Sequence, residues 1–472
     1  MSEDNADAFE GPMFDSNQQV RDDDIEGNSK SKSGTEKEYI AYTRRWFILT
    51  LFIVYSASNA FNWLDLVIIS NVLEKYYNVS TMAVTWTSMI YMAVYIPLIF
   101  PATWFLQKYG LRKSIILGSL GNCIGSCIKV AATQRSSWCF PVLFMGQTIC
   151  AIAQIFVLGI PAEIAATWFP ARQVSTACAI GVFGNQVGNA LGFAIPPMLV
   201  RDQDDESKYG MIGTDLFNMF LGVAILTTLL VIVILIAFQD RPPTPPSRAQ
   251  ELGHFNKDED YISSIKRLMK NRGFVLLLIT YGLNVGTFYA ISSLLNTVIL
   301  SHFKNAQVDA GWIGLTIVIT GLVGSILCGL ILDKTHQFKR TTVIIYLFSF
   351  MGMLLYTFTM SLGYIEVVYV SGAILGFFMT GYLPVGFDFG VEITYPESEG
   401  TSSGLLNASA QIFGIVWTIA SERIISTLED DRIANGLLAA VLLIGTILTA
   451  MIKPNYKRQK ASYSNASTVI ER

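Results

Sequence analysis

The chain has 472 residues, 52% of them hydrophobic and only 15% charged, with a net charge of -3 and a mean hydropathy of +0.45. A soluble protein of this length carries about 25% charged residues, so the composition excludes an ordinary water-soluble enzyme. The near-neutral charge gives no basis for a nucleic-acid partner.

Residues 1–42 are acidic, Ser-rich and poor in apolar side chains, and they read as a disordered cytosolic tail with no cleaved leader. Twelve apolar stretches of about 20 residues each follow, long enough to cross a bilayer. They lie near 46–72, 84–106, 114–132, 141–166, 174–199, 214–238, 273–300, 309–332, 341–361, 365–391, 401–426 and 434–452. Backbone groups in lipid must be satisfied internally, so each stretch predicts a helix. The fold class expected is an all-α membrane protein. It consists of a six-helix bundle at 43–238, a cytosolic linker at 239–272, a second six-helix bundle at 273–452 and a cytosolic tail at 453–472.

The two bundles repeat one another at a fixed spacing of 226 positions. Gln107-Lys108 corresponds to Asp333-Lys334, Lys113 to Lys339, Pro170 to Pro396, and Trp63 to Tyr289. A two-fold repeat of membrane helices builds transporters whose substrate site lies where the halves meet.

Loop charge sets the orientation. One set of loops and helix flanks holds 20 Lys and Arg, the other holds 6, which puts both termini in the cytosol. Asn78-Val79-Ser80 then falls outside, as a glycosylation acceptor or as a chance triplet. The six cysteines sit mostly within predicted helices without metal-ligand pairing and read as small apolar fillers. No glycine-rich phosphate loop is present, so ATP-driven pumping has no support and no cofactor is expected.

In the linker, Pro242-Pro243-Thr244-Pro245-Pro246 is an extended spacer. Tyr261, Ile262, Ile265, Leu268 and Met269 then recur at helical spacing among basic residues, which suits a helix on the inner membrane surface or a solvated linker helix. Gln107-Lys108-Tyr109-Gly110-Leu111-Arg112-Lys113 and its partner Asp333 to Arg340 resemble the signature loop of the major facilitator superfamily. The acidic residue usual in the first loop is Gln107 here. Gln107, Arg112, Asp333 and Lys339 are candidates for a conformational latch; the competing reading is that these charges only enforce topology.

Ionisable residues within a bilayer cost about 2.5–3.5 kcal/mol each at a helix centre, so each one is informative. Asp65, Lys129, Glu163, Asp388, Glu392, Glu422 and Arg423 all sit toward one surface or the other by their position along the helices. Without a titratable group at the midplane, passive transport is favoured, with Asp65 leaving ion coupling open. Neutral groups take the middle instead. Trp63 and Tyr289 lie in polar stretches of helices 1 and 7, and Gln186 and Gln411 lie mid-helix in 5 and 11. Such residues also serve as interfacial anchors and as helix staples; the internal symmetry favours a shared site. Two aromatic faces and two amides suit a quaternary ammonium with a hydroxyl at its other end. Asn59, one turn before Trp63, is a further candidate contact.

Five strings carry a resemblance that spans about residues 42–452. They are Asn59-Ala60-Phe61-Asn62-Trp63, the run from Tyr95 to Trp104, the run from Arg172 to Ala177, Gly181-Val182-Phe183-Gly184-Asn185-Gln186, and the run from Tyr395 to Gly404. These resemble the feline leukaemia virus subgroup C receptor-related family. The resemblance implies a major facilitator fold and facilitative transport of choline and ethanolamine by alternating access. It implies a cage in which Trp63, Tyr289, Gln186 and Gln411 match the family's residues. It also leaves haem export or import, and a non-transporting receptor, as competing functions. Haem iron takes His, Met, Cys or Tyr as axial ligand, and the only histidines, His254, His302 and His336, fall in predicted loops. A monomer in the cell membrane is the default expectation, an internal membrane the alternative, with the lipid bilayer and the small-molecule cargo as partners.

Overall fold

A computed structural model describes residues 42–170, 173–203, 205–244, 261–397, 399–428, 430–453 and 455–457. Nearly all of the two expected tails, 1–42 and 453–472, lies outside the described residues. So do His254, Arg172 and the end of the proline spacer.

Fifteen α-helices make up the described structure, with no strand. They are α1 (Arg44–Leu64), α2 (Ser70–Tyr77), α3 (Thr81–Leu106), α4 (Lys108–Ala131), α5 (Cys139–Leu158), α6 (Ile160–Trp168), α7 (Val174–Leu199) and α8 (Tyr209–Ala237). After the linker come α9 (Tyr261–Lys270), α10 (Arg272–His302), α11 (Gln307–Thr335), α12 (Phe338–Met360), α13 (Ile365–Thr394), α14 (Glu399–Leu428) and α15 (Asp431–Met451). They form 12 spans long and apolar enough to cross a membrane, with α1 and α2 sharing the first and α5 and α6 the fourth. The sixth span begins at Glu206 rather than 214, and the first runs on to Tyr77.

The repeat survives in the fold. The second and eighth spans are Thr81–Leu106 and Gln307–Leu332; the fourth and tenth are Cys139–Trp168 and Ile365–Thr394. Both pairs are offset by 226 positions at each end. An even number of spans puts the start of the first, Arg44, and the end of the last, Met451, on one side, called the near end below.

Between lipid-immersed helices there is no hydrophobic drive, so small residues that permit close approach hold the bundle together. Gly184, Gly188 and Gly192 recur every fourth residue on α7 and face α1. A Cβ on Gly188 would stand 2.2 Å from the Ala57 carbonyl oxygen. In the second half the corresponding contact joins α10 and α14, where Gly286 meets the backbone of Phe413 and Gly414.

At the far end the halves are bonded together. Asn296 Nδ2 donates to Ser70 Oγ at 3.1 Å and to Asn71 Oδ1 at 2.9 Å. Asn71 Nδ2 in turn donates to Gln307 Oε1 at 2.9 Å, and Gln307 Nε2 to the Val200 carbonyl at 3.0 Å. The hydroxyls of Ser88 and Ser293 lie 2.8 Å apart. Gly311 and Gly314 of α11 pack on Phe193 of α7. At the near end, Arg44 and Arg112 donate to the Ala237 and Leu235 carbonyls, which the end of α8 leaves without intrahelical partners. The first turn of α4 is kinked at Gly110, where φ is 85°, and Asp240 stands where a side chain at 110 would go. Asp240 accepts from the Arg112 backbone N–H at 2.9 Å.

The linker helix α9 docks on the second half. Arg267 grips Glu397 with two bonds, at 2.5 and 2.9 Å, and Ser264 donates to the same carboxylate at 2.6 Å. Leu268 is buried beneath, and Asn271 caps α10 while donating to the Ile393 carbonyl. The Arg267 bond, helped by Ser264 and by Lys457, holds the Glu397 carboxyl below the ordinary range for a glutamate, about 4.3. A carboxyl lowered in this way stabilises docking above its undocked pKa, and that stabilisation is lost as pH falls through the docked value. A spin label at position 266 should therefore be ordered at neutral pH and become mobile only once pH falls below the ordinary glutamate range. In Arg267→Ala it should be mobile throughout.

Candidate functional site

The indole of Trp63 on α1 and the phenol of Tyr289 on α10 meet across the seam between the halves. Their ring centroids are 5.4 Å apart and their planes lie at 82°, an edge-to-face contact. Trp63 is buried and its Nε1 has no hydrogen-bond partner among the described residues. Tyr289 leans on α14 where Gly414 leaves room. A Cβ at Gly414 would lie 3.0 Å from Tyr289 Cδ2 and 2.8 Å from the Met92 sulfur. Met92 of α3, from the opposite half, therefore closes the same corner. Neither Met92 nor Gly414 was expected from sequence, although Gly414 is the repeat partner of Gly188, and that pairing could have flagged it.

The amides divide. Gln411 is buried on α14, three residues before the Gly414 that packs against Tyr289. Gln186 on α7 is half-buried, and its carboxamide oxygen accepts from Asn189 at 3.3 Å. Asn59 does not join them. Its Nδ2 donates to Asn122 Oδ1 and to the Cys150 carbonyl, both at 3.0 Å, inside the first half. Helical spacing put Asn59 beneath Trp63, but a fully buried amide turns to the nearest acceptors, and those belong to α4 and α5.

Of the latch candidates, Arg112 is bound within its own half, as above. The Lys339 backbone N–H donates to the Tyr456 hydroxyl at 3.3 Å, in the segment that follows its own half. The side chains of Gln107 and Asp333 lie outside the described residues. Asn78 is exposed at the far end in the left-handed conformation that ends α2, and the Ser80 hydroxyl caps α3. Among the described residues, no group of three His, Cys, Asp or Glu is placed to hold a metal.

Behind Trp63 lies a charged network that loop and helix counting missed. Lys129 Nζ donates to Asp65 Oδ2 at 2.5 Å, to Asn62 Oδ1 at 2.9 Å and to Gln147 Oε1 at 3.1 Å, and it stands 5.1 Å from the centre of the Phe220 ring. Lys129 and Asp65 are both fully buried. The sequence signal was two opposite charges in spans of the same half, which only a pairing argument could have joined. The first span breaks at this point: α1 ends at Leu64, and a 3-10 turn over Val67–Ile69 leads into α2. The carbonyl of Asn62 is taken by Gln147 Nε2 at 2.5 Å.

The sequence matches the Major Facilitator Superfamily over residues 47–418. It is 51% identical over 423 residues to the choline/ethanolamine transporter flvcr2a of Danio rerio, covering 89% of each chain. It is 49% identical over 427 residues to the choline/ethanolamine transporter FLVCR1 of Mus musculus, covering 88% of this chain and 76% of that one. It is 47% identical over 421 residues to FLVCR2 of Homo sapiens, covering 89% and 79%. Among solved structures, a bacterial homologue of the lysosomal transporter Spinster superposes with a TM-score of 0.68 at 14% identity, over 88% of this chain and 97% of that one. The fucose transporter FucP superposes at 0.63 and 12%, over 88% and 100%.

The buried pair makes a stability prediction. Lys129→Met strands the Asp65 carboxylate in a site closed to water, which costs about 3–5 kcal/mol. The yield of monodisperse protein in detergent and its melting temperature should both fall sharply.

Proposed function

The chain belongs to the Major Facilitator Superfamily and, within it, to the feline leukaemia virus subgroup C receptor-related family, and we propose that it carries choline, and less selectively ethanolamine, by facilitated diffusion. It is a multi-pass membrane transporter, not an enzyme. The observation that carries the reading is the meeting of Trp63 and Tyr289 across the seam, 5.4 Å apart.

A quaternary ammonium has no N–H to donate, so it gains nothing from a hydrogen-bonding cage and much from aromatic faces, about 0.5–2 kcal/mol per ring when desolvated. The two rings now contact each other, an interaction worth about 0.5–1.5 kcal/mol. Cargo therefore takes the place of that contact and parts the rings. Gln411 and Gln186 offer amide groups to the hydroxyl end, and their oxygens can accept from the ammonium of ethanolamine. Met92 adds a polarisable wall.

The far-end bonds through Asn71, Asn296 and Gln307 support a state sealed on that side, with exchange at the near end. Rocking of the halves about Trp63, Gln186, Tyr289 and Gln411 would break these bonds and expose the cargo to the other face. Asp65 is already matched by Lys129, which supports transport without a coupled ion.

Uptake of labelled choline into proteoliposomes tests the cage. Trp63→Ala and Tyr289→Ala should each raise KM about 2- to 30-fold, the equivalent of losing one ring. Unchanged uptake in both variants overturns it. Tetramethylammonium should compete, whereas porphyrin should not. With membrane potential clamped, collapsing the proton and sodium gradients should leave choline flux unchanged, and dependence on either would refute the passive reading.

A further inference from the structure

The two walls of the seam are held in different ways, although the helices that carry them are repeat partners. Tyr289 sits on α10, a continuous helix of 31 residues, and is supported by packing against α14. Trp63 sits one residue before the end of α1, where the span is interrupted. The repeat spacing of 226 carries Asn62 to Phe288, Asp65 to Ile291, Lys129 to Leu355 and Gln147 to Ala373. Every member of the charged network is apolar in the second half, where Ile291 lines a small void with Leu294, Tyr356, Ser421 and Leu438.

We propose that Asp65, Lys129, Asn62 and Gln147 are positioning residues that fix the Trp63 indole in its place at the seam, so that the first half presents a rigid wall and the second a compliant one. The inference rests on the cage proposed above. A break in a helix leaves backbone groups without partners and lets the flanking residues drift. Here Gln147 takes the Asn62 carbonyl, and Lys129 ties Asn62 and Asp65, the two residues that bracket Trp63, to one ammonium. All three Lys129 donors are occupied, so its position is set from three directions. Asn62 is further bound to Asn122 and Ser126 of α4, and Gln147 belongs to α5, so two neighbouring spans fix the turn.

The test separates positioning from folding. Removing both charges together, Asp65→Leu with Lys129→Met, leaves no stranded ion, and such replacements are often neutral for stability. Gln147→Met removes the cap on the Asn62 carbonyl without touching either charge. Each protein is purified whole, checked for monodispersity and assayed for choline uptake. KM should rise in both variants toward the Trp63→Ala value, within the same range of about 2- to 30-fold, while maximal flux per molecule stays within about twofold of the parent. Adding Trp63→Ala to either variant should raise KM no further. If Gln147→Met keeps a normal KM, the inference fails, whether or not the double variant folds. An additive effect of Trp63→Ala also sinks it. A normal KM in Trp63→Ala itself would instead discard the cage, which distinguishes the two failures.

Discussion

A polar group inside a bilayer has no water to fall back on, and the architecture follows from that scarcity. Backbone groups close their bonds within helices, which is why the described residues hold helices and no strand. Side-chain polar groups must find each other in the protein interior. They do so in two kinds of place: between spans of one half, as with Asn59, Asn122 and Lys129, and across the seam, as with Asn71, Asn296 and Gln307. The first kind holds a half together in any state of the transporter. The second has to be broken and remade if the halves move.

Much of this was legible in the residues, and the reasons differ from one element to the next. The spans were readable because bilayer thickness imposes a length that no soluble helix needs. The repeat was readable because duplicated loops kept Lys113 with Lys339 and Pro170 with Pro396 at one spacing, and two of the span pairs follow that spacing at both ends. The meeting of Trp63 with Tyr289 followed from the same symmetry, since residues related by a two-fold axis approach each other when they lie near it. Asn59 was misplaced because spacing along one helix says which face a residue occupies but not which neighbour it faces. Lys129 and Asp65 are 64 positions apart, and no periodicity connects them. Met92 looked like one more apolar residue of its span.

The departure from symmetry is as informative as the symmetry. Two halves built on one plan hold their central aromatics by different means: a charged knot beside a broken helix on one side, glycine-permitted packing against an unbroken helix on the other. Duplication supplies a scaffold with two equivalent walls, and later changes in one copy alone allow those walls to differ in stiffness. The linker helix belongs to this asymmetry too, since Arg267 and Ser264 moor it to Glu397 of the second half.

The edge-to-face contact of Trp63 and Tyr289 also limits how tightly anything can be held between them. A guest that wedges the rings apart forfeits an attraction the protein already enjoys, so each ring acts as a resident rival for the other's face. In the proposed cage, net grip is thereby shallow, and shallow grip would shorten the dwell of each passenger. A molecule long enough to span both faces and also brace the halves apart would escape that ceiling, and it would behave as a blocker rather than as freight.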